Sequence, residues 1–165
     1  MRRWNEFRAL SGREKRFLFA AFMAHSLIVP ALRVWGFRRV YAFLQRAAPA
    51  QHSAPSTPAA EERPAVEELK NLGRLVNAAA NHSPIRTACL TRSLALWWLL
   101  RRRRIDCDLR IGVCNEGGEF EAHAWVEYDG VAINDSPGSV GRFAAFEADL
   151  SSSALKKAVN SAQLH

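Results

Sequence analysis

The chain has 165 residues, 48% of them hydrophobic, and a net charge of +7, which suits one domain with a core and length left for an appendage. Residues 1–50 hold ten basic and two acidic side chains, whereas the remainder holds thirteen and fourteen, so the excess positive charge belongs to the N-terminal segment. No recognised nucleic-acid motif accompanies that charge, which turns the reading away from nucleic acid and toward a membrane surface or an acidic partner.

Residues 11–45 read as helix, break, helix. Ser11 with Glu14 three positions on forms a capping box. Phe17, Phe19, Phe22 and Met23 lie in the helix that follows, and Pro30 is expected to end or kink it. Val34, Phe37, Val40, Tyr41 and Leu44 then fall on one helical face. The apolar run Phe17 to Leu32 is short for a membrane span and is interrupted by His25, Ser26 and Pro30. No small-residue cleavage site follows, so a secretory signal is not expected. An interfacial or partner-packed helix pair fits the pattern, with peripheral membrane contact through residues 11–45 as one form of it.

Residues 47–60 are Ala, Pro and Ser without periodicity, a linker. His52 within it is read as inert. A helix starts near Pro64, with Val66, Leu69, Val76 and Ala80 as its apolar side. Asn81 to Pro84 end it and leave His82 in a loop. The next helix takes Thr87 as its N-cap, which places Cys89 in the first turn. Leu90, Leu94, Trp97, Trp98, Leu99 and Leu100 make it apolar around much of its circumference, as in a central buried helix. Arg101 to Arg104 close it, opposing the negative end of the macrodipole; a docking patch for an acidic peptide is the alternative reading of that run.

Three strands follow. Cys107, Leu109, Ile111 and Val113 alternate with more polar residues, Gly117-Gly118 turns the chain, Phe120 to Tyr128 is the second strand, and Val131 to Asp135 is the third after Asp129-Gly130. A short helix is expected in the tail from Ala154 onward. Three cysteines without a CxxC pair do not make a disulfide framework, and a reducing cytoplasm is the expected compartment. Cys107 and Cys114 sit on the strand with no evident base, and the spacing of Cys89, Cys107, Cys114 and His123 does not suit a metal site.

Cys89, His123 and Asp135 are the parts of a nucleophile, its base and the group that orients the base. His123 follows Cys89 by 34 positions and Asp135 follows His123 by 12. A helix N-terminus favours the thiolate, and the Cys89 amide is a candidate oxyanion donor. The hairpin supplies a geometric condition. With a two-residue Asp129-Gly130 loop, Ala124 opposes Asp135 and His123 faces away from it; with a three-residue loop, His123 opposes Asp135. The triad therefore predicts an odd-length or bulged turn.

Cys at a helix start, His-Ala-Trp-Val-Glu on a strand and Asp on the next resemble the transglutaminase-like branch of papain-type folds. More closely, Arg86-Thr87-Ala88-Cys89-Leu90, the Leu-Arg-Ile-Gly-Val strand at 109–113 and Glu121-Ala122-His123-Ala124-Trp125-Val126-Glu127 resemble the leader peptidases of lasso-peptide biosynthesis, the B proteins. The Ser11-Gly12-Arg13-Glu14-Lys15-Arg16 helix and Phe37-Arg38-Arg39 resemble the form that lacks a precursor-recognition domain. The resemblance covers most of residues 11–147. It implies an α+β fold, a central helix packed on an antiparallel sheet with an N-terminal helical appendage. The segments are then a basic helical stretch at 1–46, the linker at 47–60, a catalytic domain at 61–150 and a tail at 151–165. It also implies a cysteine protease with Cys89 as nucleophile, His123 as base and Asp135 as orienting carboxylate, without a cofactor. Its partners would be the precursor's leader peptide, a separate leader-recognition protein and an ATP-dependent cyclase. Glutamine transamidation or deamidation by the same acyl-thioester chemistry, and a non-catalytic interaction module, remain as alternatives.

Overall fold

The structure, a computed structural model, describes residues 10–48, 63–81, 88–116 and 119–145. Ala47, expected to open the linker, is the last residue of the first helix, and Ala48 is its C-cap; the rest of the linker with His52, and His82, Thr87, Gly117-Gly118 and the tail helix, lie outside the described residues.

Helix α1 spans Gly12–Ala47 and opens with the expected capping box. The Glu14 amide donates to the Ser11 hydroxyl at 3.2 Å and the Ser11 amide donates to the Glu14 carboxylate at 2.8 Å, which satisfies two donors that a helix start leaves free. The break is not where the proline suggested. The helix runs through Pro30, and the non-helical residue is Gly36, at φ 74 and ψ 164. Pro30 points to solvent, and the helix continues past it despite the missing N–H. The φ at Gly36 is one that a side chain would resist, so the chain turns there. The turn also corrects the expected stripe. Phe37, Val40 and Leu44 beyond it are buried, whereas Val34 before it is 73% exposed.

Helix α2 (Val66–Asn81) and helix α3 (Cys89–Arg101) complete the helical part. Leu69, Val76 and Ala80 of α2 are buried as the periodicity predicts. Leu90, Leu94, Trp97 and Leu100 of α3 are almost fully buried, which makes α3 the central helix. The second half of α1 docks on α3 through a stacked row, Phe37 on Tyr41 at 5.5 Å and Tyr41 on Trp97 at 5.0 Å between ring centroids. Such pairs add to the area that they bury. The arginine run folds back on aromatic rings: Arg101 lies over Trp97, Arg102 over Trp98 and Arg103 over Phe17, at 4.9, 5.1 and 4.4 Å.

The sheet has the order β3-β2-β1-β4, with every pairing antiparallel. Its strands are β1 (Asp108–Glu116), β2 (Glu119–Tyr128), β3 (Val131–Ala132) and β4 (Ala144–Ala145), with a short helix α4 (Pro137–Val140) between the last two. One buried cluster joins Phe17, Ala21 and Ile28 of α1 and Leu69 and Val76 of α2 to Leu94 and Trp97 of α3 and Ile111, Val126 and Tyr128 of the sheet. The fold is thus α+β, with the helices stacked on one sheet face. A smaller cluster of Cys114, Trp125, Ala132 and Phe143 is also present.

Candidate active site

Two sequence expectations fail at the hairpin, and together they explain the site. Tyr128 pairs with Val131 and Glu127 with Ala132. Asp129 and Gly130 take φ of 49 and 75, as the two-residue turns that suit a twisted hairpin require. The turn is neither odd-length nor bulged. The third strand, expected to reach Asp135, ends at Ala132. Had it continued in register, Asp135 would have opposed Ala124 and faced away from His123. Because it stops, Asp135 is free of the pleat.

The uncovered edge of β2 is completed by other groups. The Ile133 amide still donates to the Val126 carbonyl at 3.0 Å. The Val126 amide then donates to the Asn134 side-chain oxygen at 2.8 Å, in place of a strand carbonyl. The Asn134 side-chain nitrogen donates to Ser93 Oγ at 2.9 Å, and that hydroxyl donates to the Ala124 carbonyl at 2.8 Å. Asn77 of α2 donates to the Asn134 backbone carbonyl at 3.0 Å. Buried backbone groups demand partners, and here Asn134 and Ser93 supply them while tying α2, α3 and β2 together.

Released from the ladder, Asp135 meets His123. The His123 Nε2–H donates to Asp135 Oδ2 at 2.5 Å, with both side chains about three-quarters buried. The other carboxylate oxygen accepts from the Ser136 amide at 2.8 Å. The imidazole stacks near Phe143, centroids 5.1 Å apart, and lies 6.2 Å from the Trp125 ring. With Nε2 engaged, Nδ1 is the ring nitrogen left for a thiol.

That thiol is Cys89, the first residue of α3. The N-cap is Ala88, in extended conformation and without a side-chain bond. The expectation of Thr87 as cap is corrected by one residue, which sets Cys89 at the first helical position, where backbone N–H groups lack intrahelical acceptors. Burial pushes the Cys89 thiol up. The hydrogen bond and charge of His123, with backbone hydrogen bonds from Ala124 and Leu90, more than reverse this and hold it below the usual thiol range. His123 is pushed up to about 9, first by its hydrogen bond to Cys89, against burial, and then by Asp135. The pair is therefore biased toward thiolate and imidazolium. Cys107 is the contrast: buried and, among the described residues, without a base, its thiol is pushed up to about 12. Cys114 is buried as well. Among the described residues, no group of three or more His, Cys, Asp or Glu could hold a metal ion.

A family model described as the transglutaminase-like superfamily matches residues 31–148. The chain belongs to the transglutaminase-like superfamily. That membership accords with the α+β arrangement, a helix headed by Cys against an antiparallel sheet. The chain is also similar to the Microcin J25-processing protein McjB of Escherichia coli, 49% identical over 49 residues. The matched stretch is 30% of this chain and 23% of that protein. No solved structure matches.

Little in the sequence marks Gly73, Ser93, Asn77 and Asn134 as supports. Gly73 carried a faint signal, because it lies at i+4 from Leu69 and i−3 from Val76, on the buried side of α2. A Cβ on Gly73 would stand 2.3 Å from the Ile133 carbonyl oxygen and 3.0 Å from the Asn134 Cα, both backbone atoms. Helix α2 thus approaches the 133–135 segment through its glycine. Gly73→Ala should gain about 1 kcal/mol of helix propensity but lose more to the clash, for a net destabilisation of about 1–3 kcal/mol. A denaturant midpoint that rises in this variant would contradict the close approach.

Proposed function

We propose that the protein is a cysteine peptidase that removes the leader from a ribosomally made lasso-peptide precursor. The observation that carries the chemistry is the row Cys89, His123, Asp135 at the head of α3, with the thiol held low and the imidazole held high. Similarity to a protein named for processing microcin J25 supports the substrate class.

In this reading the Cys89 thiolate attacks the carbonyl carbon of the scissile peptide bond. The oxyanion that forms accepts from the Cys89 backbone N–H. The C–N bond breaks as His123 gives its proton to the leaving amine, which becomes the N-terminus of the core peptide. The leader stays on sulfur as a thioester. His123, now neutral, takes a proton from water as the water attacks, and the thiol is regenerated with release of the leader carboxylate. Asp135 holds the Nε2–H and stabilises the imidazolium. The work takes place in the cytoplasm, with a separate protein presenting the leader and an ATP-dependent cyclase consuming the freed core.

Mass spectrometry of a candidate precursor incubated with the protein and its recognition partner tests the proposal. The expected result is two fragments whose masses sum to the precursor plus one water. A glutamine converted to glutamate with water taken up and ammonia released, or an amine adduct that replaces that ammonia, would instead establish deamidation or transamidation. An unchanged precursor would overturn the reading.

A further inference from the structure

We propose that the outward face of α1 seats this protein on an anionic lipid bilayer. The inference stands apart from the peptidase reading and rests on how one helix divides its surface.

No Asp, Glu, Lys or Arg occurs from Phe17 to Leu32. A helix buried on all sides would explain that, but α1 is not one. Phe17, Ala21, Ala24, Ile28 and Leu32 face the core, each exposed by 5% or less. Phe19, Leu27 and Val34 on the opposite side are 66%, 69% and 73% exposed, and Met23 is 40% exposed. These four recur at intervals of four, four and seven, one stripe running roughly 22 Å along the axis. A surface helix ordinarily puts charged residues there.

By length and composition, Gly12–Ala47 could cross a membrane. Its inner face is committed to the core shared with α2, α3 and the sheet, so a crossing would tear the domain open. Lying in the interface leaves that core intact and covers only the stripe.

Charge selects the occupant. Arg16 precedes the stripe, Arg33 adjoins its last residue, and Arg38, Arg39 and Arg46 follow on the second half of the helix; all five are exposed, and none joins an ion pair among the described residues. The sole acidic residue of α1, Glu14, is engaged by Ser11 and Asn71. Trp35 and Phe43, 61% and 67% exposed, stand among those arginines. Apolar side chains beside exposed guanidinium groups, with an exposed Trp among them, match acyl chains below and phosphate headgroups above. Helix α1 packs on α2 and α3, and the sheet packs on α3.

Co-sedimentation of the full chain with vesicles tests this. The protein should pellet with phosphatidylglycerol–phosphatidylethanolamine vesicles, stay in solution with phosphatidylcholine alone, and release several-fold when salt rises from 0.1 to about 0.5 M. The triple variant Phe19→Ser, Leu27→Ser, Val34→Ser should lose binding at least tenfold, and Arg33→Gln with Arg38→Gln and Arg39→Gln should do likewise. These side chains touch neither core nor site, so circular dichroism and precursor cleavage without lipid should be unchanged, which separates this test from that of the peptidase. Wild-type protein left in the supernatant with anionic vesicles would overturn the proposal. So would equal pelleting of wild type and the serine variant, or self-association that the serine variant abolishes without any vesicle binding.

Discussion

Cys89→Ala is expected to leave the precursor uncut, with a loss of roughly 10⁴-fold or more in single-turnover rate. The magnitude follows from the role proposed for sulfur. Without it no thioester forms, and what remains is whatever the first-turn amides and binding supply. The fold should survive, because Cys89 is only partly buried and the truncation removes one sulfur from a rim rather than from the core. The neighbouring cysteines serve as controls. Cys107→Ala and Cys114→Ala remove buried thiols that stand outside the row of Cys89, His123 and Asp135, so cleavage should persist even where stability falls. Matched circular dichroism with chromatographic mass analysis of the precursor over time decides the matter. A Cys89→Ala protein that is folded and still cuts at the wild-type rate would remove Cys89 from the mechanism.

What the sequence made legible was local. The Ser11–Glu14 capping box depends on residues three apart. The buried sides of α2 and α3 depend on a 3.6-residue period, and the first two strands on alternation and turn residues. The reading failed where distant segments compete. Pro30 looked like the break because proline lacks a donor, yet the helix continues through it, and the turn went to Gly36, whose φ no side chain favours. Val131 to Asp135 looked like a strand because its composition suits one. The ladder stops at Ala132 because Asn134 takes the next hydrogen bond with its side chain while α2 presses Gly73 against Ile133. Gly73 lies outside that segment, and Asn134 within it is held by Ser93 and Asn77 of other helices, so the strand's own composition does not announce the stop. The candidate triad was legible as three residue types in a suitable order. The geometric condition attached to it was mistaken in a useful way: it assumed that Asp135 would obey the pleat, and the site depends on Asp135 leaving it.

This dependence makes Asp135→Asn the sharper test of the arrangement. The carboxylate and its hydrogen bond raise the His123 pKa, so their loss must lower it from about 9. A less stable imidazolium supports the thiolate less, so the Cys89 pKa must rise. In kcat/KM against pH, the acid limb marks formation of the thiolate and the alkaline limb marks loss of the His123 proton. The wild-type alkaline limb should fall near pH 9. In Asp135→Asn that limb should move to lower pH and the acid limb to higher pH, narrowing the bell from both sides. At neutral pH the rate should drop by roughly 10- to 10³-fold, less than for loss of the nucleophile, because the amide can still accept from Nε2–H and hold the ring. The pH dependence of Cys89 alkylation by iodoacetamide reads the thiol independently of any substrate, and its midpoint should rise in the variant. Asn134→Ala, which disturbs the segment without removing the charge, should reduce turnover with a smaller displacement of either limb. If Asp135→Asn keeps both the wild-type profile and the wild-type alkylation midpoint, then Asp135 neither orients His123 nor supports its charge, and the row reduces to a Cys–His pair.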